Sequence, residues 1–267
     1  MEPETIDRLT TDLKKGSESL SQQEARSLIN TYYQIQDYRK TSANQIRSLD
    51  QTAKPHATLS WLFDNTEKLE KQIARALDSY SMAHPVGVWS RSVVGIGPVI
   101  AAGLLAHLDI EKAPTVGHIW SFAGLNPLAE WKKGERRPWN AELKVLCWKI
   151  GESFVKVSGR EDAYYGNVYL VRKEKENARN AAGLLKDQAE AKLLKFKIAK
   201  DTDAYQWYAK GMLPPAHIHA RAKRYAVKLF LAHWHEVAYR DHFKKEPPLP
   251  YPISILQHAH FIAAPIA

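Results

Sequence analysis

Cysteine is almost missing from this chain. Cys147 is the only one in 267 residues, which excludes an internal disulfide and a cysteine-based zinc site within one chain. Such usage fits a reducing compartment. Long hydrophobic runs are missing as well. The longest, around residues 93–106, carries glycines and reads as a buried helix rather than a membrane span. Met1-Glu2-Pro3-Glu4 is acidic with no apolar core behind it, so no secretory leader is expected and the location expected is cytoplasmic, nucleoid-associated in a bacterium. No convincing strand pattern occurs, and the fold class expected is all-α. No spaced acidic pair sits in a strand context that would suggest two-metal chemistry. No metal and no cofactor are expected.

Basic residues, by contrast, are abundant and unevenly placed. The formal charge is +9. Residues 1–84 hold 11 Lys/Arg against 12 Asp/Glu, whereas residues 85–267 hold 27 against 17. That asymmetry points to a polyanion as partner of the second part. The plainer alternative is a generic basic surface that resists aggregation.

Helical periodicity organises the chain. Residues 5–54 read as helical, with a break near Lys15-Gly16-Ser17 and a capping box from Ser21 to Glu24. Lys54-Pro55 ends the segment. Leu59, Leu62, Thr66, Leu69, Ile73, Ala76 and Tyr80 then keep a three-four repeat over a second helix at 58–82. The two segments suit an antiparallel hairpin within the chain, or a homodimer through residues 28–82. Further helices are expected at 98–108, 115–123, 140–157 and 217–243. Residues 161–200, rich in Lys, Glu, Asn and Ala, read as long solvated helices, and the proline-rich end after Pro247 reads as an extended tail. The division expected is a coiled-coil-like helical hairpin at 1–84, a helix-hairpin-helix domain at 85–160 and a basic helical extension at 161–267.

The chemically specific stretch is Gly95-Ile96-Gly97-Pro98-Val99-Ile100-Ala101. Two glycines permit a sharp turn with positive φ, and Pro98 suits the first position of a helix. The amides at the start of that helix form an anion site on a basic chain, where the anion would be a nucleic-acid phosphate. The alternative is a tight turn used only for packing. Gly95-Ile96-Gly97-Pro98, followed by Trp120-Ser121-Phe122-Ala123-Gly124-Leu125-Asn126-Pro127, resembles the C-terminal domain of the insertion-sequence-110/116/902 transposases over residues 88–157. The resemblance implies a helix-hairpin-helix that grips DNA with little regard to sequence, and an origin in a mobile element or phage. That family also carries a RuvC-like nuclease domain and a nucleophilic serine soon after the Gly-Leu-x-Pro block. Residues 1–84 are too short and too helical for the first, and Lys132-Lys133-Gly134 stands where the second belongs. Ser158, before Gly159, is the remaining weak catalytic candidate.

Three further groups invite a functional reading. Lys132, Lys133, Arg136 and Arg137 lie between Trp131 and Trp139, a pattern in which cations pair with phosphates and rings stack on bases, or in which a surface loop buries its tryptophans. Arg221, Arg224 and Lys228 share one face of the last helix, for phosphates or for solvent. His217/His219, His233/His235 and His258/His260 suggest metal, but positions two apart on a helix point about 200° from each other, so the middle pair cannot chelate one ion. The reading is a DNA-binding, non-enzymatic protein whose site is Gly95–Ala101 with the loop cations. The alternatives are a strand-transferase using Ser158 with a metal site supplied elsewhere, and a protein-interaction scaffold.

Overall fold

A computed structural model describes residues 8–50, 56–250 and 262–265. Among these the chain is all-helical, with eleven α-helices and no strand. None of the helices is long and apolar enough to cross a membrane. The chain divides into two compact units, the first drawn from Met1–Ser92, Ile96–Ala113 and Val237–Lys245, the second from Val93–Gly95, Pro114–Glu236 and Glu246–Ala267.

The first unit opens with α1 (Thr11–Gly16), a 3-10 turn at Ser17–Ser19 and α2 (Gln22–Asp50). The break expected near Gly16 is present. So is the capping box: the Ser21 amide donates to Glu24 Oε2 at 2.8 Å and the Glu24 amide to Ser21 Oγ at 3.2 Å. Lys54-Pro55 lies outside the described residues. Next come α3 (Ala57–Met82), α4 (Pro85–Ser92) and α5 (Pro98–His107). α2 packs along α3 within the chain. Ile73, Ala76 and Tyr80 of the three-four repeat are buried, as is Leu77 beside them, while Leu59 and Trp61 at the other end of α3 are exposed. Between the two helices the buried Glu70 carboxylate accepts from Arg39 Nε at 2.5 Å and Gln36 Nε2 at 3.0 Å.

α5 is the centre of this unit. It has no polar side chain before His107, and Val99 and every residue from Ala101 to His107 are buried. The last carbonyls of a helix need partners. Here α2 supplies them: Gln22 Nε2 donates to the carbonyls of Leu105 (3.0 Å) and Leu108 (3.3 Å), and Arg26 Nε to that of Ala106 (2.8 Å).

The second unit holds α6 (Val116–Phe122), α7 (Ala141–Val157), α8 (Tyr164–Ala181), α9 (Lys186–Lys195), α10 (Asp203–Ala209) and the Pro215–Glu236 part of α11 (Pro215–Phe243). Asn140 caps α7, its Oδ1 accepting from the Leu143 amide at 2.8 Å. Leu143, Leu146, Ile150 and Phe154 are buried, as their spacing predicts. Phe154 stacks on Tyr165 with centroids 5.1 Å apart, and Phe230 meets both edge-on.

The region 161–200 departs from expectation. α9 is solvated, burying only Ala189, but α8 is not: it buries Tyr165, Tyr169, Glu176 and Asn180. A Lys- and Glu-rich composition hid these positions because two of the four are polar and hold internal partners. Asn180 forms a two-way bridge with Leu213, accepting from its amide at 2.8 Å and donating to its carbonyl at 2.9 Å. That bridge borders a second small core of Leu185, Ala189, Tyr208, Leu213 and Ile218. α10, which contributes Tyr208, has no counterpart in the periodicity reading.

Gly87 sits where α4 leaves the turn after α3. A Cβ there would lie 1.9 Å from the Ser81 carbonyl oxygen. No backbone oxygen can retreat that far without moving a helix. Gly87→Ala is therefore expected to destabilise the chain by about 2–3 kcal/mol or more, since overpacking into fixed backbone has no cheap relief. Denaturant titration checks this, and a midpoint within error of wild type would contradict the assigned close approach.

Candidate nucleic-acid interface

The turn between α4 and α5 contains the two glycines, which do different jobs. Gly95 has φ +99°, in the left-handed region that favours glycine. Its carbonyl accepts from Ser153 Oγ at 2.5 Å, and a Cβ on it would lie 3.3 Å from Val157. Gly97 instead has φ −85° and ψ 173°, extended backbone open to any residue, so positive φ is required at one glycine and not at both. Gly97 is the N-cap of α5, and Pro98 occupies the first helical position. No side chain caps this end. The Ala101 amide closes the first turn onto the Gly97 carbonyl at 3.0 Å, which leaves the amides of Val99 and Ile100 ahead of it. A Cβ on Gly97 would meet no atom within 4 Å.

The candidate residues of this turn thus split by role. Ile96, Val99 and Ala101 bury their side chains and can offer only main chain. Gly97 is the open position. Arg91, which no spacing rule singles out, joins the turn: its Nε pairs with Asp78 at 2.9 Å and its Nη1 donates to the Ile96 carbonyl at 2.8 Å, fixing a guanidinium beside it.

In the loop, Lys132, Lys133, Arg136 and Arg137 are all exposed. The two tryptophans are unlike each other. Trp131 is exposed, donates Nε1 to the Glu135 carbonyl at 2.7 Å and carries the Arg137 guanidinium 5.2 Å from its ring centroid. Trp139 packs on Gly124, where a Cβ would come within 2.9 Å of the ring, and Lys144 Nζ lies 3.9 Å over it. Burial, followed by the Arg137 charge, pulls the Lys144 ammonium below its ordinary pKa.

The three basic residues of the last helix also diverge. Arg224 is exposed. Lys228 lies 4.2 Å over Trp120, whose Nε1 donates to the Lys228 carbonyl at 3.1 Å. Arg221 is committed inward, donating to the fully buried Glu176 at 2.9 Å and to Gln188 at 2.6 Å. Arg172 (2.5 Å) and Arg179 (3.2 Å) complete the set around Glu176. Burial alone would raise the Glu176 pKa. The Arg221 hydrogen bond and the charges of Arg172 and Arg179 outweigh it and hold the carboxyl below its ordinary value.

Three of the four histidines in the described His-x-His pairs are held by tyrosines. His217, His219 and His233 each bond a tyrosine through Nδ1: Tyr208 at 3.2 Å, Tyr169 at 2.8 Å and Tyr165 at 2.7 Å. Burial, reinforced by Lys192, Arg224 and Arg221, lowers the His217 pKa to about 4. Burial lowers His219 and His233 as well. His258 and His260 lie outside the described residues. Among those described, no three His, Cys, Asp or Glu residues gather as a metal site.

Ser158 caps the C-terminus of α7. Its hydroxyl donates to the Val155 carbonyl at 2.7 Å, and its Cα would lie 2.9 Å from a Cβ on Gly166. Arg160 pairs with Asp162 (3.0 and 2.8 Å).

No family model, curated protein or solved structure matches this chain. The resemblance to transposases therefore rests on its two sequence blocks alone.

The Glu176 cluster makes a pH-dependent contribution to stability. A carboxyl whose folded pKa lies below its unfolded value stabilises fully at neutral pH and loses that contribution as pH falls through the folded pKa. Glu176→Gln is expected to cost about 3–5 kcal/mol at neutral pH, because it removes the buried negative charge that three guanidinium groups share. It should also flatten the loss of stability between neutral pH and about pH 3. Thermal melts of both proteins across that range decide it, and parallel curves would show that the cluster contributes no pH dependence.

Proposed function

We propose that this chain binds the phosphate backbone of nucleic acid, DNA in the first instance, without reading base sequence. The observation that carries the reading is the start of α5: a helix end with no side-chain cap, amides of Val99 and Ile100 ahead of the first hydrogen-bonded turn, and empty space at Gly97 through which a phosphate can approach. The exposed Lys132, Lys133, Arg136 and Arg224 supply further cations in the basic part of the chain. Descent from a transposase of a mobile element, with binding retained, is the history that fits the Gly-Ile-Gly-Pro and Phe-Ala-Gly-Leu-Asn-Pro blocks. A serine-based strand transfer is not favoured, since the Ser158 hydroxyl is engaged as a helix cap.

Gly97→Val tests the reading. Valine fits the extended backbone and the open space, so helix content should persist at a cost of about 1 kcal/mol for the altered cap. Its side chain would stand where the phosphate docks. Loss of amide bonds to a charged group should weaken binding about ten- to a hundredfold. In the wild-type protein, affinity should fall with salt at a slope near −0.9 per phosphate contacted on duplex DNA. Salt-independent binding, or none to any nucleic acid at low salt, would sink the proposal.

A further inference from the structure

α7 has an anomaly on its outward face. Leu143, Leu146, Ile150 and Phe154 fill its inner side. The opposite side should be polar, yet Val145 is 53% exposed and Trp148, three residues on, is 60% exposed. A single exposed apolar side chain is ordinary. An exposed tryptophan one turn from an exposed valine, bordered by ammonium groups, is a different arrangement.

The cations are placed by the fold. Lys144 is four residues before Trp148 and therefore its neighbour on the helix surface. Its ammonium is held over Trp139 at 3.9 Å. On the other side, Lys223 of α11 lies 5.9 Å from the Trp148 ring and is fixed there by its ion pair with Glu152. The four-residue spacing of Lys144 and Trp148 on α7 sets the Trp139–Lys144 pair beside the Trp148–Lys223 pair, a row of two rings and two ammonium groups within the second unit. Arg137 adds its charge to Lys144 at one end.

We infer that this row is a stacking platform for the unpaired bases of a single-stranded or locally opened nucleic acid, with Trp148 as the ring on which a base lies. The inference rests on the nucleic-acid reading above and narrows it to a substrate class. A flat aromatic face accepts any base, and the ring-held Lys144 beside it suits a strand whose phosphates flank the stacked base, while the charge of Lys223 is already met by Glu152. An apolar protein partner would be poorly served by the same row, because docking would bury the ammonium of Lys144 without a carboxylate to meet it. In paired DNA the base faces are already stacked and cannot reach Trp148. The platform therefore discriminates strand from duplex, where backbone binding at α5 does not.

The experiment uses the full chain and labelled oligo-dT, oligo-U and a DNA duplex of the same length, followed by fluorescence anisotropy. Trp148→Ala is expected to weaken both single strands about tenfold or more while changing duplex affinity by less than about twofold. Trp148→Phe should keep most of the strand affinity and lose the share of the strand-induced tryptophan quenching that Trp148 contributes, visible as a smaller quench than in wild type. Because Trp148 is mostly exposed, both variants should melt near wild type. If Trp148→Ala does melt early, the Trp148→Phe quenching result decides alone. Unchanged strand affinity in Trp148→Ala, or equal loss for strand and duplex, would overturn the platform while leaving backbone binding in place. A change of oligomeric state in Trp148→Ala by light scattering would overturn it in favour of a protein contact. Absence of binding to all three nucleic acids at low salt would remove the reading beneath it as well.

Discussion

An α-helix that is apolar on every side can exist in water only if other elements surround it, and α5 is such a helix. Burying one large aliphatic side chain contributes about 1.5–3 kcal/mol, and α5 buries Val99, Leu104 and Leu105 together with a run of alanines. The small residues let α2 and α3 approach its backbone. That closeness creates a difficulty at the C-terminus, where the last carbonyls cannot reach water. Gln22 and Arg26 of α2 meet it. The N-terminus receives no equivalent. Gly97 has no side chain to offer, Pro98 has no amide, and the space ahead of them is open. One constraint therefore accounts for the centre of the first unit and for the polar main chain left at its surface.

The second unit handles buried polarity differently. Glu176, Asn180, His217, His219 and His233 are side chains that a composition-based reading assigns to solvent or to metal. Each is held by a specific partner: three arginines, the Leu213 main chain, or a tyrosine hydroxyl. Leaving any of them unpaired inside would cost several kcal/mol. This network also consumes charge. Arg172, Arg179 and Arg221 share one carboxylate, so the basic face expected around Arg221 is partly interior.

Element positions were legible in the sequence wherever a local rule fixed them. Ser21 and Glu24 announced the start of α2, Asn140 and the Leu143–Phe154 spacing announced α7, and Gly-Pro at 97–98 announced α5. Such signals lie within one turn of the backbone. What stayed hidden depends on residues far apart. The pairs Tyr165–His233 and Arg221–Glu176 join positions 68 and 45 residues apart, and no spacing rule reaches that far. The candidate site shows the same division. Gly97 was readable from its motif. Arg91 was not, because its role arises only when Ile96 folds back over it. Trp148 could have been found by asking what lies opposite Leu143, Leu146 and Ile150 on α7, and Lys223 could not.

The cations of the basic part are not one reservoir. A carboxylate partner cancels a charge, and Arg172, Arg179, Arg221 and Lys223 all have one. A tryptophan partner does not: Arg137, Lys144 and Lys228 are oriented by rings that carry no opposing charge. Burial makes that charge harder to hold, and both Lys144 and Lys228 sit below their ordinary pKa for this reason. A nearby anion would push either pKa back up. The ring-held lysines are thus partly desolvated and oriented by the fold itself, which is what the proposed phosphate binding would ask of them. A flexible surface lysine must give up both water and rotamer freedom on binding, and these two have already given up part of each.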